Sequence, residues 1–343
     1  MPMSHSLRAA VAVAGTSVLL LAGCAGTQQA ESDGPASSGG AYPVTIEHAF
    51  GETTIEETPE NVVTWGWGST EAALALGVVP VAMPFQAYGG DENGVLPWIA
   101  EELESLGAGT PTVLTDDGEA PPYEEIAAAD PDVILASYSG ITEEQYELLN
   151  EIAPTVPYEK EPWSTPWKDV IATVGTVLDK PDEAEQVVAD IDSALAEGAA
   201  AHPELAGKSI AAVWDGAGTF YVYKPADPRV DFLLELGLES ADSVDELAAG
   251  DSSFYYTLSY EQLDKLDSDI LISYSDTAAE QEAFMASSYA QVIPAVATGA
   301  VAQVVGPEFV ASVSPPTALS VTWGLDTYLE LLSSAASAAD AAE

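Results

Sequence analysis

One phrase is written twice in this chain at a fixed spacing. Residues 123–138 read YEEIAAADPDVILASY and residues 260–274 read YEQLDKLDSDILISY. At an offset of 137, Tyr123 aligns with Tyr260, Glu124 with Glu261, Asp130 with Asp267 and Asp132 with Asp269. The apolar runs Val133–Leu135 and Ile270–Ile272 coincide as well. Each copy predicts one αβ unit: a short helix with Glu in its first turn, then a strand apolar on both faces and therefore buried. A chain that builds such a unit once per half predicts two similar lobes, and a cleft between lobes is where small ligands sit.

The remaining segments fit that plan, since strands alternate with helices throughout. The run at 62–65 passes through Gly66 and Gly68 into a helix that stops at Gly77, the glycine stop of a helix C-terminus. Strands are predicted over 78–83, 111–114 and 132–138, and a helix over 142–153 opens with Thr142 and Gln145 at capping-box spacing. Ser259 and Gln262 repeat that spacing before the second helix. The second lobe is expected to hold strands over 209–216, 219–224 and 301–305, and helices over 230–237, 277–291 and 317–333, with the last ten residues frayed. Leu-x-Leu-Gly closes both the helix at 71–77 and the one at 230–237, at an offset of 160. Between the lobes, Val170, Val174, Val177, Leu178, Val187, Val188, Ile191 and Leu195 recur at helical spacing. They predict a long helical connection, broken or kinked near Pro181.

The N-terminus reads as an address and an anchor. His5 and Arg8 precede a short apolar run that ends in Leu21-Ala22-Gly23-Cys24, too brief and poorly flanked for a spanning helix. It resembles the bacterial lipobox, where the signal is cut before a cysteine whose thiol carries a diacylglycerol; a plain secretory signal with an incidental cysteine is the alternative. Cys24 is the only cysteine among 343 residues, so no internal disulfide accounts for it. The diacylglycerol, with palmitate-type acylation, gives Cys24 the two or more acyl chains that stable anchoring needs. The division expected is a lipoprotein signal peptide over 1–23, a flexible tether over 24–40, a first α/β lobe over 41–165, a connecting helix over 166–202 and a second α/β lobe over 203–343. A tether of this length reaches about 20–25 Å from its anchor.

Charge excludes several partners. The chain carries 56 acidic and 8 basic residues, a formal net charge of −48, and such a surface repels nucleic acid and anionic headgroups alike. Membrane association then needs the lipid anchor, which places the protein on the extracellular or periplasmic face of the cell membrane. The bland account of the acidity is solubility in a salty medium. Hydrophobic residues make up 47% of the chain, enough for a sizeable core.

Three segments together resemble a known family: PENVVTWGWGSTEAALALGVVPVAM, PPYEEIAAADPDVILASYSGITEEQYELLNEIAPTVP and LSYEQLDKLDSDILIS. With the lipobox and the mid-chain helix, they look like the substrate-binding lipoproteins of iron–siderophore ABC importers, over nearly all of residues 42–335. The resemblance implies two Rossmann-like lobes joined by a single long helix, a ligand cleft between them, no enzymatic activity and no cofactor. It also implies a monomer that binds a ferric siderophore, haem or cobalamin and delivers it to a permease dimer. Glu124 and Glu261 occupy the positions that, in this family, dock onto permease arginines. The first copy departs from the usual pattern in having Pro121-Pro122-Tyr123 before its Glu, and a Glu in a first helical turn is favoured by the helix dipole in any case.

Aromatic residues gather at the loops expected to rim the cleft: Trp65, Trp67, Tyr88, Tyr138, Trp163, Trp214, Tyr223, Tyr255 and Tyr274. Each singly serves equally well as core; as a set they suit a flat, partly apolar ligand. Once Arg8 leaves with the signal, Lys160, Lys168, Lys224 and Arg229 are the basic residues expected near the cleft or crossover. Arg229 is the donor chosen for a neutral or cationic ferric hydroxamate, and this sparse positive charge disfavours an anionic catecholate. His48 and His202 are too few for a free-metal site, so iron is expected to be held by the siderophore's own atoms. Three other readings stay open: a cobalamin or haem carrier of the same fold, a two-lobed extracytoplasmic enzyme, and a surface adhesin. The chain has no G-x-S-x-G elbow, H-E-x-x-H or P-loop, and its Gly66-x-Gly68 and Gly216-x-Gly218 pairs read as turns.

Overall fold

The computed structural model describes residues 42–250 and 252–342. The signal peptide, Cys24 and the tether to residue 40 lie outside the described residues.

The first lobe opens with a hairpin that the sequence reading leaves out: β1 (Val44–His48) pairs with β2 (Gly51–Ile55). Then follow β3 (Val62–Thr64), α1 (Ser69–Ala75), β4 (Ala82–Pro84), α2 (Pro97–Ser105), β5 (Thr112–Leu114), α3 (Tyr123–Ala128), β6 (Val133–Ala136), α4 (Glu143–Asn150) and β7 (Thr155–Pro157). Strands β5-β4-β3-β6-β7 form one all-parallel sheet. Its central strands β3 and β6 are buried along their whole length, as their uninterrupted apolar runs require. Both bonds of the Thr142–Gln145 capping box are present at the start of α4.

The connection is built from α5 (Trp167–Val177) and the 21-residue α6 (Pro181–Ala201). The expected break near Pro181 is where the chain turns: Asp179 has φ 58° and Lys180 N donates back to the Gly175 carbonyl at 2.8 Å. A Cβ on Gly175 would stand 2.4 Å from the Ala184 Cβ, so the missing side chain is what lets the two helices pack so closely. The long element is α6, ~30 Å at helical rise. Residues of α5, α6, both sheets and the last helix share one contiguous core.

The second lobe holds β8 (Ser209–Gly216), β9 (Thr219–Tyr223), α7 (Pro228–Glu235), β10 (Glu239–Ser240), α8 (Asp242–Glu246), β11 (Tyr255–Leu258), β12 (Ile270–Ser275), α9 (Ala278–Ala286), α10 (Pro294–Thr298), β13 (Val301–Val305), α11 (Pro307–Val313) and α12 (Ser320–Ala342). Its sheet runs β11-β9-β8-β12-β13, with β10 beside the start of β8. The β8-β12-β13 part is parallel, while β9 and β11 add antiparallel strands. The β8–β9 turn places Ala217 (φ 51°) and Gly218 (φ 77°) between the paired residues Gly216 and Thr219, the two left-handed positions of a tight primed hairpin turn.

The repeated phrase has a shared physical job. Asp132 accepts from Glu60 N at 2.8 Å and Asn61 N at 3.0 Å, just ahead of β3. Asp269 accepts from Ser209 N at 2.7 Å and Ser209 Oγ at 2.8 Å, at the start of β8. In each lobe the aspartate before the repeated strand therefore fixes the register of its parallel neighbour.

Three local expectations are corrected. The second copy's helix is a 3₁₀ turn over Tyr260–Lys265. Its tighter winding gives the Gln262 N–H to the Ser259 carbonyl at 2.8 Å, and the Ser259 hydroxyl takes Glu261 N instead of closing a box. The helix expected over 277–291 ends at Ala286, and a separate 3₁₀ turn over Ala290–Val292 follows, the Ser287 hydroxyl between them accepting from Ala290 N. The final residues do not fray: Ala335, Ala336 and Ala339 are buried, and Lys208 pairs with Asp340, so α12 continues to Ala342.

Candidate functional site

In open parallel sheets, ligands bind outside the carboxyl ends of the strands. The corresponding ends of β6, β8 and β12 here border one cavity of about 820 Å³. Tyr138 follows β6, Trp214 and Asp215 lie near the end of β8, Ser275 ends β12 and Asp276 follows it; all five line the cavity. Trp163 reaches it from the loop before α5, while Tyr223, Arg229 and Tyr255 complete the wall on the second lobe. A first-lobe hydroxyl also meets a second-lobe carboxylate beside the cavity, Tyr88 OH donating to Asp276 Oδ1 at 2.8 Å.

Arg229 owes its position to the start of α7. Asp227 caps that helix, accepting from Arg229 N at 3.1 Å, and the same oxygen lies 2.8 Å from Arg229 Nε. The guanidinium carbon stands 3.9 Å from the Tyr223 ring centroid and 5.9 Å from that of Tyr274, so two aromatic faces support the charge. Tyr274 is fully buried; its ring stacks on Trp214 at 6.3 Å and its hydroxyl meets that of Tyr328 at 3.1 Å. Burial pushes the Asp227 carboxyl up, opposed by the adjacent Arg229. Burial likewise pushes the Tyr138 hydroxyl up to about 12, so it is a neutral hydrogen-bonding group at ordinary pH.

Of the residues singled out from the sequence, Tyr138, Trp163, Trp214, Tyr223, Arg229 and Tyr255 come together on this wall. Trp65 and Trp67 do not reach it; with Trp163 they line an adjoining hollow of about 180 Å³, and Trp65 is 8% exposed and packed into the first-lobe core. Tyr88 stands at the edge through Asp276, and Tyr274 lies behind the wall. Lys160 is exposed beside Glu159, Lys168 bridges Asp192 and Glu235, and Lys224 donates to the Ser252 carbonyl. Arg229 is the one basic side chain on the wall. The sequence reading missed Asp215, Asp276 and Glu280, which also line it; the usable signal was that the first two directly follow apolar strand runs.

Elsewhere, Glu124 and Glu261 are both exposed in the first turns of their repeated units, while neighbouring Glu125 ties down Thr115. His48 is buried and bonded to Thr53, its burial holding its pKa below the usual value, and His202 pairs with Glu204. Among the described residues, no three His, Cys, Asp or Glu side chains gather into a metal-holding group.

The chain matches a family described as periplasmic binding protein over residues 62–305. The Bacillus subtilis (strain 168) protein named probable siderophore-binding lipoprotein YfiY is 27% identical over 271 residues, 77% of this chain and 79% of that one. The ferric-anguibactin-binding protein FatB of Vibrio anguillarum is also 27% identical, over 80% of each chain. The crystal structure of Streptococcus pneumoniae TIGR4 PiaA in complex with ferrichrome superposes with a TM-score of 0.77 at 34% identity, covering 86% of this chain and 99% of that one.

Proposed function

The chain belongs to the periplasmic binding protein family, and from that premise we propose that it captures a ferric siderophore, hydroxamate chelates being favoured, and delivers it to the permease of an ABC importer. The observation that carries this reading is the cavity itself. About 820 Å³ lies at the strand ends of both lobes, walled by five aromatic side chains of the predicted set and one arginine already balanced by Asp227. Its size and lining suit an organic complex that arrives with its metal already coordinated. Family and relatives are binding proteins, and the cavity is used here for capture, not for bond making.

The similarity to PiaA, whose structure holds ferrichrome, supports the hydroxamate preference. Acylation at Cys24 and export to the outer face of the membrane belong to the same reading, supported by the lipobox and by the description of YfiY as a lipoprotein. Glu124 and Glu261, one exposed at the start of each repeated unit, are assigned to permease docking.

Titration of the purified protein with a ferric trihydroxamate, a ferric tricatecholate, haem and cobalamin, read by tryptophan fluorescence, tests the proposal. Quenching by the trihydroxamate at micromolar or lower concentration is expected. Quenching by haem or cobalamin alone moves the assignment to those ligands, and no response to any iron chelate overturns it.

A further inference from the structure

The charge on the cavity wall narrows the ligand further. Asp215, Asp227, Asp276 and Glu280 line the cavity against a single cation, Arg229. Asp227 is engaged by that arginine. The other three are held by uncharged donors. Asp215 accepts from Tyr260 OH at 2.6 Å and Tyr289 OH at 2.7 Å. Asp276 accepts from Tyr88 OH at 2.8 Å. Glu280 accepts from Thr277 N and Oγ1, each at 3.0 Å. Hydroxyl and amide donors orient a carboxylate without cancelling its charge, and no lysine or arginine among the described residues makes an ion pair with these three.

Arg229 still presents part of its guanidinium to the cavity, its side chain being 20% exposed, while its Nε is buried 2.8 Å from Asp227 Oδ1. A ligand oxygen at the guanidinium is therefore compatible with a positive group at the acidic side of the same cavity. An anionic chelate would instead place its charge among carboxylates in a partly desolvated space, where repulsion is weakly screened. The net charge of −48 acts in the same sense during approach.

This inference rests on the siderophore reading above. We propose that the cavity selects ferric chelates carrying net positive charge, and that a pendant ammonium of the chelate lies against Asp215 and Asp276.

The test uses one linear ferric trihydroxamate with three tails: a free primary ammonium, its N-acetyl form and its N-succinyl form. They differ in tail charge while keeping the metal centre. The ammonium form is expected to bind tightest and the succinyl form weakest, with a gap of about tenfold or more between those ends, the scale of one partly screened charge pair. Added salt should narrow the gap. In the double variant Asp215→Asn/Asp276→Asn, the ammonium form should lose its advantage while the acetyl form still binds. Should that variant not fold, Glu280→Gln carries the same expectation at smaller size. Equal or reversed affinities for the three tails, or an advantage untouched by these variants, overturn the charge selection and leave the siderophore reading standing. Failure of all three forms to bind overturns the charge selection together with the hydroxamate preference, and the titration with the other iron chelates then decides the siderophore reading.

Discussion

Trp163 is the aromatic most open to solvent on the cavity wall, 45% exposed, and its surroundings allow an indirect perturbation. The indole leans edge-on against Tyr138, centroids 5.8 Å apart, and rests over Gly140. A Cβ at Gly140 would stand 2.4 Å from Trp163 Nε1 and 2.6 Å from Cε2, while the Gly140 backbone is outside the left-handed region. Gly140→Ala should therefore fold normally and push the indole off its seat. About half of an aromatic surface of roughly 150–250 Å² is available for a ligand to cover. At about 25 cal/mol per Å², full coverage contributes about 2–3 kcal/mol, and the partial coverage of one ring edge about 1–2 kcal/mol. Trp163→Ala should thus weaken chelate binding by roughly 5–30-fold, since ~1.4 kcal/mol is a factor of ten, and Gly140→Ala by a similar or smaller factor. Because both act on one side chain, the double variant should be no weaker than Trp163→Ala alone. Equilibrium titration with an absorbance or mass readout avoids the confounding loss of tryptophan signal. Unchanged affinity in Trp163→Ala, or additive losses in the double variant, would refute the placement of Trp163 against the ligand.

Replacing Glu124 and Glu261 together by Arg should abolish uptake in cells while ligand affinity stays intact; normal uptake by that variant sinks the docking assignment. Glu71 is buried, and burial pushes its carboxyl above the usual carboxylate range although Trp98 Nε1 donates to it at 3.1 Å. A folded-state pKa raised above the unfolded one stabilises fully below the unfolded value, and that contribution is lost as pH rises through the folded one. Glu71→Gln should therefore raise the melting temperature at pH 7 and change it little at pH 4, and a lower melting temperature at both pH values contradicts this. Asp132→Ala and Asp269→Ala each remove charge-assisted bonds that set the start of a neighbouring strand, so each should cost about 1–2 kcal/mol. For a chain of this size that is a fall of a few degrees in melting temperature by calorimetry; no shift in either would mean that the register is fixed without them.

The parts of the fold legible in the sequence are those whose burial leaves no choice of pattern. Val133–Ala136 and Ile270–Ser275 are buried at every position, and an apolar run of that length between helices has few other destinations. Where one face is wet, the pattern weakens. Tyr255 and Tyr256 in β11 are 41% and 2% exposed, an alternation too short to separate from two aromatics in a loop. The β1–β2 hairpin is similarly brief and half exposed. At the C-terminus, alanine was the misleading signal: small residues look like a fraying tail, yet their size is what lets α12 lie flat against the second lobe.

The same reasoning explains which half of the candidate site could be read. Aromatic residues at strand ends stood out because tryptophan and tyrosine are sparse, and Arg229 stood out as one of 8 basic residues in the whole chain. Asp215, Asp276 and Glu280 did not, because each is one of 56 acidic residues, almost all of which serve a solvated surface. What distinguishes the three is their place beside tyrosine and threonine donors, Asp215 and Asp276 at the ends of buried strands and Glu280 in the first turn of α9, which only the folded chain assembles. An acidic surface thus conceals an acidic cavity. The carboxylates that line the cavity are chemically identical to those of the solvated surface, and geometry alone separates them.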